Sequence, residues 1–301
     1  MRNISLLLSV FALSCFLTTQ PNPNHIEFDV AMQTSKYPES IKNTQHIVGI
    51  DGNILINFLR DLYNKNSLSN ITPSEKPRIP KIIHHIWLGG EVPNVLQKYI
   101  DSAKKIHPKW QYKLWTDKDV SQMKLYNREI FDQTTNCGAK SDILRYEILY
   151  RYGGVYLDTD MECLKPLDIL HKCYDFYIGI QPLSHDLITF GTGAIGSIPG
   201  HPILKHLIKS LPKNFRRYKM VTQQTGPIPA TISFYLESDK GTIDIALPAN
   251  YFYPIDAKEK NIDKEKCKKR GAFCIHWWAK TWCSIIERKK EFQAIENNSS
   301  L

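Results

Sequence analysis

The apolar positions of the chain follow two different periods, and their order predicts alternating strands and helices. Short apolar runs predict buried strands at 81–88, 110–115, 155–157 and 175–180. Apolar residues spaced three and four apart predict helices at 53–63, 96–106, 203–210 and 229–237. Strands that alternate with helices are typical of βαβ units, so the pattern predicts an α/β fold with a mostly parallel sheet.

The stretch 141–168 combines three elements in immediate succession. Its helix has an apolar face and ends at a glycine pair that begins with Gly153, because glycine tolerates the left-handed conformation. A short apolar strand, 155–157, then runs directly into Asp158-Thr159-Asp160. Residues i and i+2 of an extended chain point the same way, so the two carboxylates are expected side by side at a strand end, where α/β sheets bind ligands.

Two adjacent carboxylates repel each other, and a shared proton or a divalent cation removes the repulsion. Carboxylate oxygens suit Mn²⁺ and Mg²⁺, which commonly bind a diphosphate as well. Asp142 and Arg145 lie three residues apart on one face of the preceding helix, where they supply a hydroxyl acceptor and a fixed cation. A D-x-D triplet alone is usually a solvated turn, but its combination with the helix, the glycine pair and the strand favours a metal-dependent binding site.

The stretch resembles the D-x-D sugar-nucleotide-binding region of the family 32 glycosyltransferases, and the resemblance extends over residues 79–283. That family contains α-mannosyl-, α-galactosyl- and inositol-phosphoceramide mannosyltransferases and is related to the glucosylating domains of large clostridial toxins. The resemblance implies a single α/β domain of the GT-A type with a mostly parallel nucleotide-binding sheet, preceded by a helical stem. It also implies metal-dependent transfer of a hexose, with retention of configuration, from a nucleoside-diphosphate sugar to a glycan, lipid or protein acceptor.

Two further segments resemble family segments near the donor. The run K-I-I-H-H-I-W-L-G-G at 81–90 is similar to the opening strand, where the tryptophan at the position of Trp87 lies against the nucleotide base. A core tryptophan is the alternative interpretation of Trp87. The glycines at 191–196 indicate a loop by composition, and together with 199–202 they resemble a segment that passes close to the donor sugar. The family commonly has an asparagine near the position of Thr192, which this chain lacks, so the donor-sugar contact stays unassigned.

Two later segments also match the family. Thr225-Gly226-Pro227 matches a T-G-P turn, and Thr225 either contacts the donor or acceptor or begins a helix. Residues 276–282, H-W-W-A-K-T-W, are similar to the closing H-x-W-x-x-S-W, with Thr281 in place of serine. The resemblance implies that His276 completes the metal coordination or contacts the diphosphate, whereas a lone histidine is otherwise more often structural.

Residue chemistry and resemblance together assign the predicted roles. The predicted metal ligands are Asp158, Asp160 and His276, and the predicted cofactor is Mn²⁺ or Mg²⁺. The predicted catalytic residues are Asp142, Arg145, Asp158 and Asp160. The predicted contacts to a UDP-sugar or GDP-sugar donor are Trp87, Asp142, Arg145, Tyr156, Asp158 and Thr225. Because no catalytic nucleophile is recognisable, the favoured mechanism has the leaving diphosphate accept the acceptor's proton, with Arg145 or Lys140 stabilising its departure.

Composition divides the chain into three regions. Residues 1–20 contain an apolar run, 4–17, which predicts a secretory signal in preference to a permanent anchor, because about 20 apolar residues are needed to span a bilayer. Residues 21–76 are polar and predict a stem or spacer with one amphipathic helix. The glycosyltransferase domain is predicted at 77–295.

The net charge of +9 favours an anionic partner. Much of the excess lies at 258–270, where seven Lys and Arg residues face three Asp and Glu residues. This segment is interpreted either as a solvated loop or as a patch for a membrane surface or an acidic acceptor. No nucleic-acid-binding motif occurs, which argues against DNA or RNA as a partner.

Six cysteines follow the apolar N-terminal run, and none of them forms a C-x-x-C pair. This spacing argues against a zinc or thioredoxin-like site. An even number behind a secretory signal is compatible with up to three disulfides, and the late group at 267, 274 and 283 is expected to include a local pair.

Two other functions are compatible with the same acidic pair. A metal-dependent phosphoesterase or nucleotidyltransferase would release phosphate or pyrophosphate, and a secreted carbohydrate-binding protein would bind glycans without turnover. The transferase itself is expected in the secretory pathway, in the Golgi lumen or associated with a membrane, because that lumen supplies sugar nucleotides. A bacterial source would instead favour a secreted effector that acts in a host.

Overall fold

The computed structural model describes residues 26–257, 259 and 262–279. In this part of the chain, a large sheet and a small sheet are present. The strands of the large sheet are β1 (Ile82–Ile86), β2 (Gln111–Trp115), β3 (Gly154–Leu157), β5 (Phe176–Ile180), β6 (Phe190–Ser197) and β7 (Asp244–Leu247). The small sheet consists of β4 (Met161–Cys163) and β8 (Cys274–His276).

The large sheet has the strand order β2-β1-β3-β6-β5-β7. β1 runs parallel to both β2 and β3, and β5 runs parallel to β7. β6 runs antiparallel between β3 and β5, so β1, β3 and β5 all end at the same edge. The predicted fold class, an α/β domain with a mostly parallel sheet, is confirmed.

The helices that the apolar spacing predicted are all present. The α-helices of the described residues are α1 (Phe28–Met32), α2 (Pro38–Val48), α3 (Gly52–Asn66), α4 (Asn94–Ile106), α5 (Asp117–Ser121), α6 (Arg128–Gln133), α7 (Cys137–Tyr152), α8 (Asp168–Cys173), α9 (Pro202–Arg217), α10 (Val221–Gln224), α11 (Pro227–Glu237) and α12 (Lys264–Lys269). The helix predicted at 203–210 is α9. It continues beyond its predicted end because Leu211 still buries its side chain on the same face.

The glycine-rich segment at 191–196 is strand β6, and the loop that its composition predicted is wrong. The glycines serve close packing. A Cβ atom on Gly191 would lie 2.2 Å from Cζ of Tyr253, and one on Gly196 would lie 2.1 Å from the ring of Tyr177. The strand therefore needs glycine because aromatic rings lie against its backbone.

The junction between α7 and β3 depends on the glycine pair. The backbone φ angles of Gly153 and Gly154 are 63° and 96°, a region that side chains rarely adopt. A Cβ atom on Gly154 would also lie 2.6 Å from the carbonyl oxygen of Ile82 in β1. The predicted end of the helix is confirmed, and β3 can insert beside β1 because this backbone carries no side chain.

The region before β1 contains three α-helices, α1 to α3, where the sequence predicted one. These helices pack on the main core, since Ser40 donates a hydrogen bond to the carbonyl of Leu183 and the hydroxyls of Tyr63 and Tyr251 lie 2.8 Å apart. The two extra helices are α1 and α2, and α2 was missed because small polar residues such as Ser40 and Thr44 occupy its buried positions. The division into a stem and a domain at residue 77 stays a prediction.

Several predicted features lie outside the described residues. They are the signal at 1–20, Thr281, Cys283, the end of the domain at 295 and part of the basic segment at 258–270. None of the helices in the described part of the chain combines the length and the apolar character needed to cross a membrane.

The five cysteines in the described residues are free thiols. Cys163 and Cys274 face each other across β4 and β8, with their sulfur atoms 3.6 Å apart. The neighbour of Cys274 is therefore Cys163, which is distant in sequence, because the pairing of the two strands decides which thiols meet.

Candidate functional site

A cavity of about 380 Å³ opens at the edge where β1, β3 and β5 end. β3 lies in the middle, with β1 on one side and β6 and β5 on the other. The residues that line the cavity and carry predicted or newly recognised chemistry are Trp87, Asp142, Arg145, Tyr156, Asp158, Asp160, Gln181, His185, Tyr253, His276 and Trp278. The two sheets together thus bring into one cavity side chains that are almost 200 residues apart.

Asp158, Asp160 and His276 form a compact cluster at the end of β3. One ligand atom from each lies within 4.8 Å of the other two, and Nε2 of His276 is 3.3 Å from Oδ1 of Asp160. His276 reaches this position because β8 pairs with β4, directly after the acidic pair. The other oxygen of Asp160 accepts a hydrogen bond from the amide of Ala279 at 2.7 Å, which fixes the carboxylate.

The cluster has the charge and the donor atoms to hold a divalent cation. Burial lowers the pKa of His276, but Asp160 and Asp158 outweigh it and raise that pKa to about 9. The same negative charge attracts a divalent cation, which would take the place of the proton on His276, and two carboxylate oxygens with one imidazole nitrogen are ligands that Mn²⁺ accepts. The residues present therefore fit the predicted metal.

Arg145 links the two carboxylates that the sequence singled out on α7 and β3. Its Nη1 atom lies 3.3 Å from Oδ1 of Asp158, and its Nη2 atom lies 3.4 Å from Oδ1 of Asp142. It also donates a hydrogen bond of 2.6 Å to the carbonyl of Thr192 in β6. The guanidinium is thus held by three elements of the fold, and it presents a positive charge to the cavity without needing to move.

Burial and charge act in opposite directions on the two aspartates. Burial raises the pKa of Asp158, but the charges of Arg145 and His276 outweigh it and hold that pKa well below its usual range. Burial raises the pKa of Asp142 to about 6, although Arg145 and Thr225 oppose the shift. At neutral pH both side chains are accordingly negative, and Asp158 is the more strongly ionised.

Of two further predicted donor contacts, Tyr156 lines the cavity and Thr225 does not. Tyr156 lines the cavity, where its hydroxyl donates to Asp158 at 2.6 Å and its ring lies 4.4 Å from the guanidinium of Arg145. Thr225 is fully buried behind Asp142 and donates a 2.9 Å hydrogen bond to it. Its hydroxyl is therefore used in orienting Asp142 and does not face the cavity.

Trp87 lies at the β1 side of the cavity, directly after that strand. Its ring packs in a small apolar cluster with Leu96, Tyr99 and Trp277. Its indole Nε1 is buried and has no hydrogen-bond partner among the described residues. A buried donor at the edge of a cavity is a group that a ligand can satisfy.

Trp278 is a wall residue that the sequence analysis did not assign. Its φ angle is 55°, which is rare for a bulky side chain, and this turn sends the rings of Trp277 and Trp278 in different directions. Trp277 stacks on Tyr99, whereas the ring centroid of Trp278 lies 4.7 Å from that of His185 and 4.3 Å from that of His276. The motif H-W-W does not indicate the φ angle of Trp278, so this backbone strain could not be predicted from the sequence.

Tyr253 was also missed, and here a signal was available. Its ring lies against Gly191 and Gly179. A Cβ atom on Gly193 would lie 2.7 Å from Oδ2 of Asp158 and 3.4 Å from the hydroxyl of Tyr253. Glycines at alternate positions of a strand indicate that something approaches its face closely, which is the interpretation that the loop prediction overlooked.

Comparison with known proteins gives matches that agree with this geometry. The family model of a glycosyltransferase sugar-binding region containing a DXD motif matches residues 93–177. Inositol phosphoceramide mannosyltransferase 2 of Schizosaccharomyces pombe is 33% identical over 183 residues, which are 58% of this chain and 50% of that protein. An uncharacterized glycosyltransferase of Acanthamoeba polyphaga mimivirus is 32% identical over 188 residues, 58% of this chain and 73% of that protein.

This chain spans about half the length of the fission-yeast mannosyltransferase. Among solved structures, the PaToxG glycosyltransferase superposes with a TM-score of 0.46 at 19% identity, over 81% of this chain and 95% of that one.

Proposed function

The chain belongs to the family of glycosyltransferases whose sugar-binding region contains a DXD motif, and from this premise we propose that it transfers a hexose from a nucleoside-diphosphate sugar to an acceptor hydroxyl. The observation that carries the proposal is the position of Arg145 between Asp142 and Asp158, next to the cluster of Asp158, Asp160 and His276. A cation site beside a fixed guanidinium suits a diphosphate, and a buried carboxylate suits a sugar hydroxyl.

In the proposed site, Asp158, Asp160 and His276 would hold a divalent cation, which would supply Lewis-acid stabilisation to the diphosphate. Arg145 contributes a second positive charge that is already in position before the reaction, and a preorganised charge of this kind stabilises a leaving oxyanion. Its effect is large because the side chain is only 6% exposed.

Asp142 is proposed to orient the sugar of the donor. Thr225 and Arg145 occupy part of its carboxylate and fix the side chain, and its remaining lone pairs are free to accept a sugar hydroxyl. Asp158 is proposed to serve both the cation and the ribose. We retain the leaving diphosphate as the acceptor of the proton and propose retention of anomeric configuration, as the family resemblance implies.

The base of the donor is proposed to bind at the β1 side of the cavity. Stacking of a base on the ring of Trp87 would contribute about 1–3 kcal/mol, and the unpartnered indole N–H would gain a hydrogen-bond partner. The acidic cluster after β3 lies next to this side, so one extended donor can contact Trp87 and the cation site together.

The acceptor is proposed to enter from the β5 side. Trp278 packs against His185, which follows β5, and its indole nitrogen donates to the carbonyl of Ile255 at 3.1 Å. A partly exposed and fixed ring is a suitable platform for the apolar face of a polyol ring. Because the relatives are named as inositol phosphoceramide mannosyltransferases, we propose mannose as the sugar and a lipid-linked polyol as the acceptor. The Golgi lumen, which supplies sugar nucleotides, is the proposed compartment.

The test is a screen of the purified full chain against UDP- and GDP-sugars with Mn²⁺, followed by transfer to inositol-containing lipids. We expect metal-dependent hydrolysis of one donor and formation of a glycoside with release of the nucleoside diphosphate. Asp160→Ala should lose both activities while keeping its circular dichroism spectrum. Asp132→Ala is the matched control, because this exposed carboxylate on α6 lies outside the cavity.

Two results would contradict the proposal. Release of phosphate or pyrophosphate without a glycoside would favour the phosphoesterase or nucleotidyltransferase alternative. Binding of glycans by a protein that turns over none of the donors would favour the carbohydrate-binding alternative.

A further inference from the structure

Helix α9 has a strongly basic face. The exposed cationic residues on it are Lys205, Lys209, Lys213, Arg216 and Arg217. At 3.6 residues per turn they fall within about a third of the helix circumference. The opposite face is apolar and buried against the core, through residues such as Leu204, Leu207 and Leu211. The helix is therefore fixed in place with its positive side outward.

The charge of this face is not neutralised within the described protein. None of its five side chains forms an ion pair with a carboxylate of the described residues. By contrast, other exposed lysines have such a partner: Lys42 pairs with Glu39, and Lys65 pairs with Asp239. Five cations on one face of the helix, without a carboxylate partner in the described part of the chain, produce a positive potential that favours an anionic partner with an extended surface.

The basic face leads directly to the cavity. Lys219 and Met220, both exposed, follow α9, and Met220 leaves 62% of its surface accessible. Val221 and Thr222, at the start of α10, already line the cavity. A row of cations that ends in an exposed apolar side chain beside an opening is the arrangement expected of a protein that rests on a bilayer.

We propose that the basic face of α9, with Met220 at its end, docks on a bilayer surface that carries anionic phospholipid headgroups. A straight row of lysine and arginine side chains matches a plane of phosphates. Phosphate headgroups attract each cation near the surface, and Met220 can enter the headgroup region. The docking would bring the mouth of the cavity to a lipid acceptor. The delivery of a lipid acceptor to the cavity rests on the proposed function, whereas the binding of the bilayer does not.

The basic segment at 258–270, which the sequence analysis offered as a membrane patch, is less suited to this role where it is described. On α12, Lys264 pairs with Glu162 at 2.9 Å, and Asp263 and Glu265 lie among the lysines. Part of its positive charge is therefore compensated locally. This makes α12 a matched control for α9, since both helices expose several lysines.

The experiment measures flotation of the full chain with vesicles of phosphatidylcholine, with and without phosphatidylserine. The apolar run at 4–17 would contribute equally to both, so the measured quantity is the difference between the two vesicle types. We expect binding to the anionic vesicles that falls steeply as salt is added. The charge reversal Lys205→Glu/Lys209→Glu/Lys213→Glu should weaken it by more than about tenfold.

Two sets of variants make the result decisive. The control Lys266→Glu/Lys268→Glu/Lys269→Glu makes the same change in net charge on α12 and should retain most of the binding. The milder Lys205→Gln/Lys209→Gln/Lys213→Gln should give an intermediate loss and serves if charge reversal impairs folding, which circular dichroism reports. Equal loss in both triple variants, no loss in the α9 variant, or no preference for anionic vesicles would overturn the inference.

Failure of the inference and failure of the proposed function are distinguishable. Vesicle binding needs neither donor nor cation, so Asp160→Ala should bind as the wild type does. Conversely, the α9 variant should hydrolyse a soluble sugar nucleotide at the wild-type rate, because none of its altered residues lines the cavity. Binding without turnover would leave the docking surface standing and remove the transferase.

Discussion

Nη1 of Arg145 lies 3.3 Å from Oδ1 of Asp158, although the two residues belong to different elements of the fold. The glycine pair lies between the two residues, and its positive φ angles let β3 begin directly after α7 ends. The guanidinium is 6% exposed, so the contact holds a buried charge that would otherwise have to be solvated. The same pair of residues thus bears on folding and on the proposed function.

Arg145→Lys should lower kcat/KM for donor hydrolysis by about a hundredfold or more. A lysine cannot reproduce the two-sided contact with Asp142 and Asp158, because its ammonium is a single point of charge. Steady-state kinetics with the preferred donor would measure the loss. Arg128→Lys, on α6 and outside the cavity, should leave the kinetics unchanged, and a similar loss there would contradict the assignment.

Removal of the metal should be visible without any turnover. We expect Mn²⁺ to raise the melting temperature of the wild type, because a ligand that binds only the folded state stabilises it. Asp158→Asn and Asp160→Asn should abolish the increase, and EDTA should reverse it. Asp132→Asn should respond as the wild type does, and an unchanged response of the two cluster variants would contradict the cation site.

Gly154→Ala should destabilise the fold by about 3 kcal/mol or more, through a strained φ angle together with a steric clash. The added Cβ would lie 2.6 Å from the carbonyl oxygen of Ile82. Gly200→Ala is the control, because Gly200 has a similar φ of 73° but open space around it, and should cost only about 1–2 kcal/mol. Urea unfolding measures both, and equal costs would mean that the close approach of β1 does not matter.

His84 should make the stability dependent on pH in the acidic range. Its Nδ1 accepts a hydrogen bond from the indole of Trp115, and burial lowers its pKa from 6.5 to about 4. Between these two pKa values, His84 is protonated in the unfolded chain and neutral in the folded chain. The free energy of unfolding therefore falls as the pH decreases from 6.5 towards 4. His84→Gln carries no titratable group, so its unfolding free energy should fall less between pH 7 and pH 5. Parallel curves would contradict this role.

Trp87 and Trp278 should separate donor binding from acceptor binding. Trp87→Ala should raise the KM of the donor in the hydrolysis assay by about tenfold, since it removes the proposed stacking on the base. Trp278→Ala should leave donor hydrolysis nearly unchanged and lower transfer to the lipid acceptor. The two variants are matched controls for each other, and the opposite pattern would place the acceptor on the β1 side.

Much of the fold was predictable because local chemistry decided it. The apolar runs of β1 and β5 and the periodic face of α3 indicated their elements correctly. The prediction failed where tertiary contacts overrode local composition. The glycines of β6 were interpreted as a loop from their composition. They are needed in the strand because the ring of Tyr253, about 60 residues away in the chain, packs against its backbone. Similarly, α2 was missed because it buries Ser40 and Thr44, whose value depends on hydrogen bonds to a distant segment.

The candidate site shows the same division. Asp142, Arg145, Asp158 and Asp160 were predictable as a group because they lie within 19 residues of each other, on a helix and a strand whose spacing is regular. The position of Thr225 behind Asp142, and the turn that sends Trp278 into the cavity, were not predictable. Both depend on how separate elements pack, and the residues next to them in the sequence show no pattern that predicts either one.

The sequence by itself determined which residues could carry a cation and a diphosphate, because carboxylate spacing, the glycine pair and the apolar strand are local properties of the chain. The resemblance alone pointed to His276 as a further ligand, and the tertiary structure supplies the physical reason, since the pairing of β4 with β8 brings it to the acidic pair across more than 110 residues. It also decided that the cations on α9 have no carboxylate partner among the residues that the structure describes. Strand pairing and ion pairing depend on distances in space, and the order of residues along the chain does not specify these distances.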